Sequence, residues 1–455
     1  MEEKNNLENS ILSGPLSVID ENPELTTVVA ANKIHNDNKS LLSTKLLSKF
    51  YKDYTVFTVM KVISYSLNEI YFILPYCLRK LGIFPFFLML IILSFSSAYI
   101  FYLLIDIIIK HKLFNNYHKI IQENTNKYLN ISYYIVNIIY NVLILIFQNY
   151  LYLSICQRIL SFFDIDMENV FLEKIILLSL SLIIIEFPFS FIKYFQKPDI
   201  LYIIITGLIV ILNIVALIFI IIHKSYDDIE LMEINIFEGF SKDYFTCFSI
   251  IMTPIGWQNQ IAKFLESFKI KTSNRFHNVV YLFFVFLFFL IIFICFASTP
   301  LISGKDDIII FLLDYKNTNL THFLIIQIIC IIFSLVIHII IAYHIHLIKE
   351  NLLLFLRLTI NKNIEEEYEI NKCFSVCFNL FILILINIIS LMINDISIII
   401  ILYGGVFTSL LNYFYPTCTY SMMVSKNSLA VWVAWLISFI IVSISLVCLM
   451  LKIFL

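Results

Sequence analysis

IMTPIGWQNQ (residues 251–260) stands inside an apolar run of membrane length and breaks it with a proline, a glycine and then three side-chain amides. Pro254 removes a backbone donor and Gly256 tolerates unwound backbone, so Thr253 to Trp257 is a place where freed carbonyls and amides can meet a ligand. Taken alone, Pro254 reads more simply as a kink with no ligand. Choosing between the two needs the rest of the chain.

Composition leaves one broad class. Of 455 residues, 60% are hydrophobic and 14% charged, with eight glycines and nine prolines, and the mean hydropathy is +0.89. Such a chain is a polytopic membrane protein. A net charge of −2 offers no basic face dense enough to neutralise a run of phosphates, so nucleic acid is not an expected partner. The nine cysteines lie singly; Cys373 and Cys377 share a helix face but lack further Cys or His at metal spacing. Neither a disulfide framework nor a zinc set is expected.

A membrane-spanning helix needs about 20 mostly apolar residues. Eleven segments qualify: 55–78, 84–109, 131–157, 173–192, 199–223, 244–264, 277–300, 321–347, 373–393, 395–420 and 430–455. Residues 1–53 form a polar tail without the apolar core of a signal peptide, and are expected to be cytosolic and disordered. Lys and Arg are retained on the cytoplasmic side of membranes. With the N-terminus inside, six lie in the tail and fifteen in inner loops, against nine in outer loops, which predicts N-terminus in and C-terminus out. The tail also holds an acidic dileucine pattern, Asp37 to Leu42, and Asn319-Leu320-Thr321 is a glycosylation sequon in a predicted outer loop.

Many secondary transporters consist of two inverted repeats whose broken helices hold substrate at mid-membrane, and the sequence pointer is a pair of interrupted spans at matching places in each half. Here the interruptions fall five spans apart. Span 6 carries Thr253 to Trp257, and span 1 carries Asn68 and Glu69 followed by Pro75, within SLNEIYFILPYCLRKLG (residues 66–82).

At these residues the chain resembles the amino acid/auxin permease family. ILPYCLRKLGIFPFFLMLIILSFSSAYIFYLLID looks like that family's first two spans, with its Leu-Pro-Tyr motif at Leu74, Pro75 and Tyr76; TPIGWQNQIAKFLESF is similar to its sixth. IHIIIAYHIHLIKENLLLFL is similar to its eighth, and DISIIIILYGGVFTSLLNYFYPTCTY, with Pro416, to its tenth. The resemblance covers about residues 54–455. It implies an all-α polytopic fold of eleven transmembrane helices, a 5+5 inverted-repeat LeuT-like bundle plus an eleventh helix. Repeat one would be about 54–223, repeat two about 244–420 and the extra helix about 430–455. It also implies transport of amino acids, or related small amines and acids, coupled to protons or sodium.

The chain departs from that family at its most informative point. Where members commonly carry a Gly-Ser-Gly run whose amides would cradle a carboxylate, this chain has Asn68, Glu69 and Ile70. Trp257 stands where His is often found, and Ser64 where a sodium-coupled member would offer Asn. The expected substrate-binding set is therefore Ser64, Asn68, Glu69, Ile70, Phe72, Thr253, Pro254, Gly256 and Trp257. Trp257 would cap the pocket or hold an ammonium through its ring, or else anchor to lipid. A carboxyl group at mid-bilayer costs about 2.5–3.5 kcal/mol on insertion scales, so Glu69 needs a role. Three stay open: the proton-coupling group, a binding charge for a cationic amino acid or polyamine, or a structural acid paired with Lys61 or His338.

Span 8 is the other polar helix, and its His338 is the second proton-coupling candidate, against the plainer role of a satisfied core histidine. His344 and His346 are expected to be solvated near the cytosolic end, and Glu186 and Asp106 to be interfacial. Gly404-Gly405 permits close helix packing, with Thr408, Ser409, Asn412 and Tyr413 either lining a pathway or forming a packed polar stripe. No nucleophile–base pair, metal set or phosphate loop lies in the aqueous segments, so an enzyme is not expected. The expectation is a secondary active amino acid transporter with no cofactor, driven by H+ rather than Na+, with an amino acid and the lipid bilayer as its partners and no inferable protein partner. Its membrane would be the plasma membrane or an endolysosomal or vacuolar one. The rivals are a cationic amino acid or polyamine transporter, a non-transporting amino-acid sensor, and an ion channel, which would need a wetted pore.

Overall fold

The computed structural model describes residues 73–111, 125–162, 170–192, 235–239, 241–256, 273–298, 320–359, 372–393, 395–424 and 428–454, with isolated positions at 59–60, 62–63, 66, 121, 207, 210–211, 214 and 218. The chain divides into Met1–Tyr54 and Thr55–Leu455; the first unit lies outside the described residues. Every described element is helical: α1 (Leu74–Leu81), α2 (Ile83–His111), α3 (Lys127–Phe162), α4 (Val170–Ser181) with a π-helical turn Leu182–Glu186 and the short α5 (Phe187–Phe189), α6 (Asp243–Ile255), α7 (Ser273–Ser298), α8 (Leu320–Thr359) and α9 (Lys372–Met392). Then come α10 (Ile396–Ile400), two π-helical stretches (Ile401–Phe407 and Leu410–Phe414), α11 (Tyr415–Met423) and α12 (Leu429–Phe454).

Seven of these helical stretches are long and apolar enough to cross a membrane. They coincide with the second, third, seventh, eighth, ninth, tenth and eleventh predicted spans. Of the other four, two lie largely outside the described residues and two are interrupted for a physical reason. The first is described continuously only from residue 73, and the fifth only at isolated positions. The fourth is cut into α4, a π turn and α5, because Pro188 cannot donate to the helix; the sixth stops after 13 residues at Gly256.

The helices are apolar outward. On α12, Trp432, Leu436, Phe439 and Met450 are exposed, while Val431, Ala434, Ser438, Ile441, Ser445 and Cys448 are buried at alternating three- and four-residue spacing. Small residues inward and large apolar residues outward is the arrangement lipid favours, because lipid gives helices no hydrophobic drive to associate and close approach must supply the packing. The buried seam of α12 lies on the π-helical stretches after α10. There Ser438 Oγ donates to Tyr413 O (3.0 Å) and meets Thr417 Oγ1 (2.7 Å). Pro416 takes one donor out of that helix, and Ser438 adds a bond from α12 to the backbone close by.

The start of α10 carries its own stop signal. Asp395 is the N-cap, accepting from Ser397 N at 2.9 Å, and Lys452 Nζ of α12 lies 2.9 Å from its Oδ2. Partial burial pushes the Asp395 carboxyl up, but hydrogen bonds from Ser397 and Lys452 outweigh it and hold the group below the ordinary aspartate range. A carboxylate whose folded pKa is depressed adds stability above its unfolded pKa and loses it as pH falls through the folded one. Asp395→Ala should therefore lower stability by about 1 kcal/mol at neutral pH, mostly the cap, since an exposed ion pair contributes about 0–1 kcal/mol. In thermal unfolding of the detergent-solubilised protein, the gap between wild type and variant should close below pH 4. A gap that persisted in acid would rule out the carboxylate as its source.

Candidate transport site

α6 begins beside the Lys80–Asp243 ion pair (3.4 Å) and runs into the apolar interior, where Thr246 to Ile255 are all buried. Thirteen residues make about 20 Å of helix. That is shorter than the roughly 30 Å hydrocarbon layer, so a helix that starts at a water-facing end stops within the membrane. At Gly256 the backbone leaves the helix (φ −91°, ψ 80°) while its N–H still reaches Met252 O (3.1 Å) and Thr253 O (3.3 Å). Pro254 offers no N–H, so Ile250 loses its helical donor. The carbonyl of Ile255 is taken by Ser97 Oγ of α2 at 2.8 Å, a buried bond between two helices. The last turn of a helix presents carbonyl oxygens and the negative end of its dipole, a setting that attracts an ammonium group.

The segment after α10 closes around this break. A Cβ added to Gly256 would meet Thr408 Cγ2 at 2.5 Å and Asn412 Nδ2 at 3.0 Å. On the same face, Gly404 and Gly405 pack on Ser249, and Thr253 Oγ1 donates to Ser249 O (2.9 Å). The glycines permit the close approach, and Thr408 and Asn412 are packed polar groups at the break.

At the other end of α6, Tyr76 of α1 donates to Asp243 Oδ1 (2.9 Å), and Lys80 lies over the Tyr76 ring. Cys77 Sγ faces Cys247 O at 3.8 Å. Tyr76 of the Leu-Pro-Tyr motif thus ties the first turn of α1 to the start of α6.

A second polar centre lies elsewhere. His338 on α8 and Glu186 in the π turn after α4 both have 0% side-chain exposure, with Nδ1 and Oε1 3.5 Å apart. Ser181 Oγ donates to the same Oε1 at 2.7 Å, and the Tyr152 ring of α3 meets the imidazole edge-on at 4.6 Å. Glu186 Oε2 and both imidazole nitrogens have no hydrogen-bond partner. Glu186 is thus not interfacial as the sequence suggested. The π turn above Pro188 turns it inward, onto Ser181 and His338. His344 likewise is not solvated: it is buried, with Nδ1 2.8 Å from Asn141 Oδ1. Asn141 also bonds Asn137, whose Nδ2 donates to Asn351 Oδ1 (3.1 Å), so a buried amide ladder runs between α3 and α8. His346 pairs with Glu350 (3.2 Å), and Asp106 with His277 (3.5 Å), both partly exposed.

The family model described as transmembrane amino acid transporter protein matches residues 55–454. The chain belongs to that family. No curated protein matches it. Of the residues expected to bind substrate, Thr253, Pro254 and Gly256 are described, and they form the end of α6. Ser64, Asn68, Glu69, Ile70, Phe72 and Trp257 lie outside the described residues, as do Lys61, the dileucine pattern and Asn319 of the sequon. His338 keeps the company of α3 and the π turn after α4. Sequence reasoning missed Ser97, which no motif marks, and Glu186. The signal for Glu186 was present: an acid inside LSLSLIIIEFPF, two residues before a proline, is an intramembrane charge, which by default calls for a function.

Proposed function

We propose that this family member is a secondary active transporter of amino acids, a proton symporter working by alternating access within a LeuT-like inverted repeat. The observation that carries this is the end of α6 at Gly256, inside the membrane, with Thr408 and Asn412 packed against it. The negative end of the helix dipole at this break receives the substrate ammonium. The first span, through Ser64 and Asn68 to Phe72, supplies the facing contacts, and Trp257 covers the cargo. Proton binding at Glu69 or His338 provides the drive.

The test is uptake of a labelled amino-acid panel, lysine and arginine included, into proteoliposomes with and without an inward proton gradient. Saturable uptake of neutral amino acids that the gradient accelerates is the expected result. Uptake confined to cationic substrates would make Glu69 a binding charge instead, and binding without uptake would make the protein a sensor.

A further inference from the structure

The centre around Glu186 has the make-up of a site for a single proton. Glu186 and His338 are sealed from solvent, and among the described residues no Lys or Arg pairs with Glu186. A carboxyl and an imidazole sharing one proton are net neutral, whether the proton sits on oxygen or on nitrogen. Adding a second proton, or removing the one, leaves a net charge in a low-dielectric interior, which is strongly disfavoured.

The hydrogen bonding points the same way. A buried polar pair that serves the fold alone is normally closed, each atom having a partner. Here Oε1 is fixed by Ser181, while Oε2, Nδ1 and Nε2 are left open. These are the atoms of the pair that are chemically able to take up or give up a proton. The surroundings add little competing charge. The titratable groups facing the pair from α3 are Tyr152 and Cys156. α9, packed against the same turn, brings Asn379 onto Ser190 Oγ (3.1 Å), and its Cys377 is exposed. Glu173 lies farther back on α4, and His344, six residues on along α8, is engaged by Asn141.

We propose that Glu186 and His338 together bind the coupling proton, held between the carboxyl and the imidazole. This rests on the transport reading, and its test separates the two. The full chain would be reconstituted with a pH dye inside the vesicles. Three quantities would be read: amino-acid exchange at symmetric pH, accumulation under an inward gradient, and acidification of the interior. For one proton per substrate, wild type should accumulate about ten-fold per pH unit. E186Q should lose both accumulation and acidification, and E186D, which retains a carboxyl, should keep both. Accumulation and acidification by E186Q at the wild-type level would overturn the inference, and so would a wild type that exchanges without any proton response. Loss of exchange in both variants would assign the pair to the fold. A wild type that exchanges nothing would sink the transport reading itself, and this inference with it.

Discussion

Gly404→Ala is expected to abolish uptake and lower thermal stability, although alanine is the better helix former. Removing glycine from a helix gains about 0.5–1 kcal/mol. Against that, a Cβ at residue 404 would meet the backbone carbonyl oxygen of Ser249 at 2.7 Å, and Thr253 Oγ1 more closely still. A side chain can turn away, but a carbonyl held in α6 cannot. Overpacking of this kind costs about 1–3 kcal/mol, so it outweighs the gain. The displaced helix is also the one that ends at Gly256, so the shift passes straight to the break, where positioning matters most. Gly207→Ala is the control. A Cβ there meets nothing within 4 Å, so the helix-propensity gain should stand alone and uptake should be unchanged. Equal unfolding temperatures and equal uptake for Gly404→Ala and wild type would show that α6 and the segment after α10 are free to separate at no cost.

How much of this was legible in the sequence divides by the range of the physics involved. The seven long helices follow from apolar runs, which need only local composition. The stop in α6 follows from Pro254 and Gly256, which act on their own backbone. Glu186 was misplaced because it stands near the end of its predicted span, beside Phe187-Pro188, where an acid reads as interfacial. At 3.6 residues per turn, positions five apart point about 140° away from each other, so Ser181 and Glu186 would face different sides. In the i→i+5 pattern they line up, and the Ser181–Glu186 hydrogen bond is the result. Thr408 Oγ1 reaches Tyr403 O across the same interval in the π-helical stretches after α10. The burial of His344 was out of reach for another reason. Its partner Asn141 is 203 residues away, and no local pattern encodes that meeting.

Gly82→Ala should loosen the corner that holds the end of α1 against the start of α6. Gly82 has φ 78° and ψ 174°, a conformation that only glycine adopts readily, and side-chain-bearing residues forced into such regions cost about 1–3 kcal/mol. Space is missing as well. A Cβ would meet Glu238 N at 2.9 Å, and Asn235 O and Phe237 Cα at 3.0 Å, all of them backbone. The same contacts are why the corner exists: Ile83 N donates to Asn235 O (3.0 Å), Phe84 N to Ile236 O (2.9 Å) and Glu238 N to Leu81 O (3.3 Å). Tyr244 OH, from the first turn of α6, adds a bond to Glu238 O (2.9 Å). Alanine would push residues 235–238 off this turn and leave two amides at the head of α2 without their acceptors. Hydrogen exchange at Ile83 and Phe84 should then speed up by about 5- to 150-fold, the equivalent of 1–3 kcal/mol of local opening. The interior of α2 should keep its protection, because its own ladder is untouched. Unchanged exchange at both amides would mean that the corner is not held by this turn. Because α1 continues directly from the stretch that carries Glu69, a loosened corner should also slow uptake in proportion to the time the first span spends misaligned with α6.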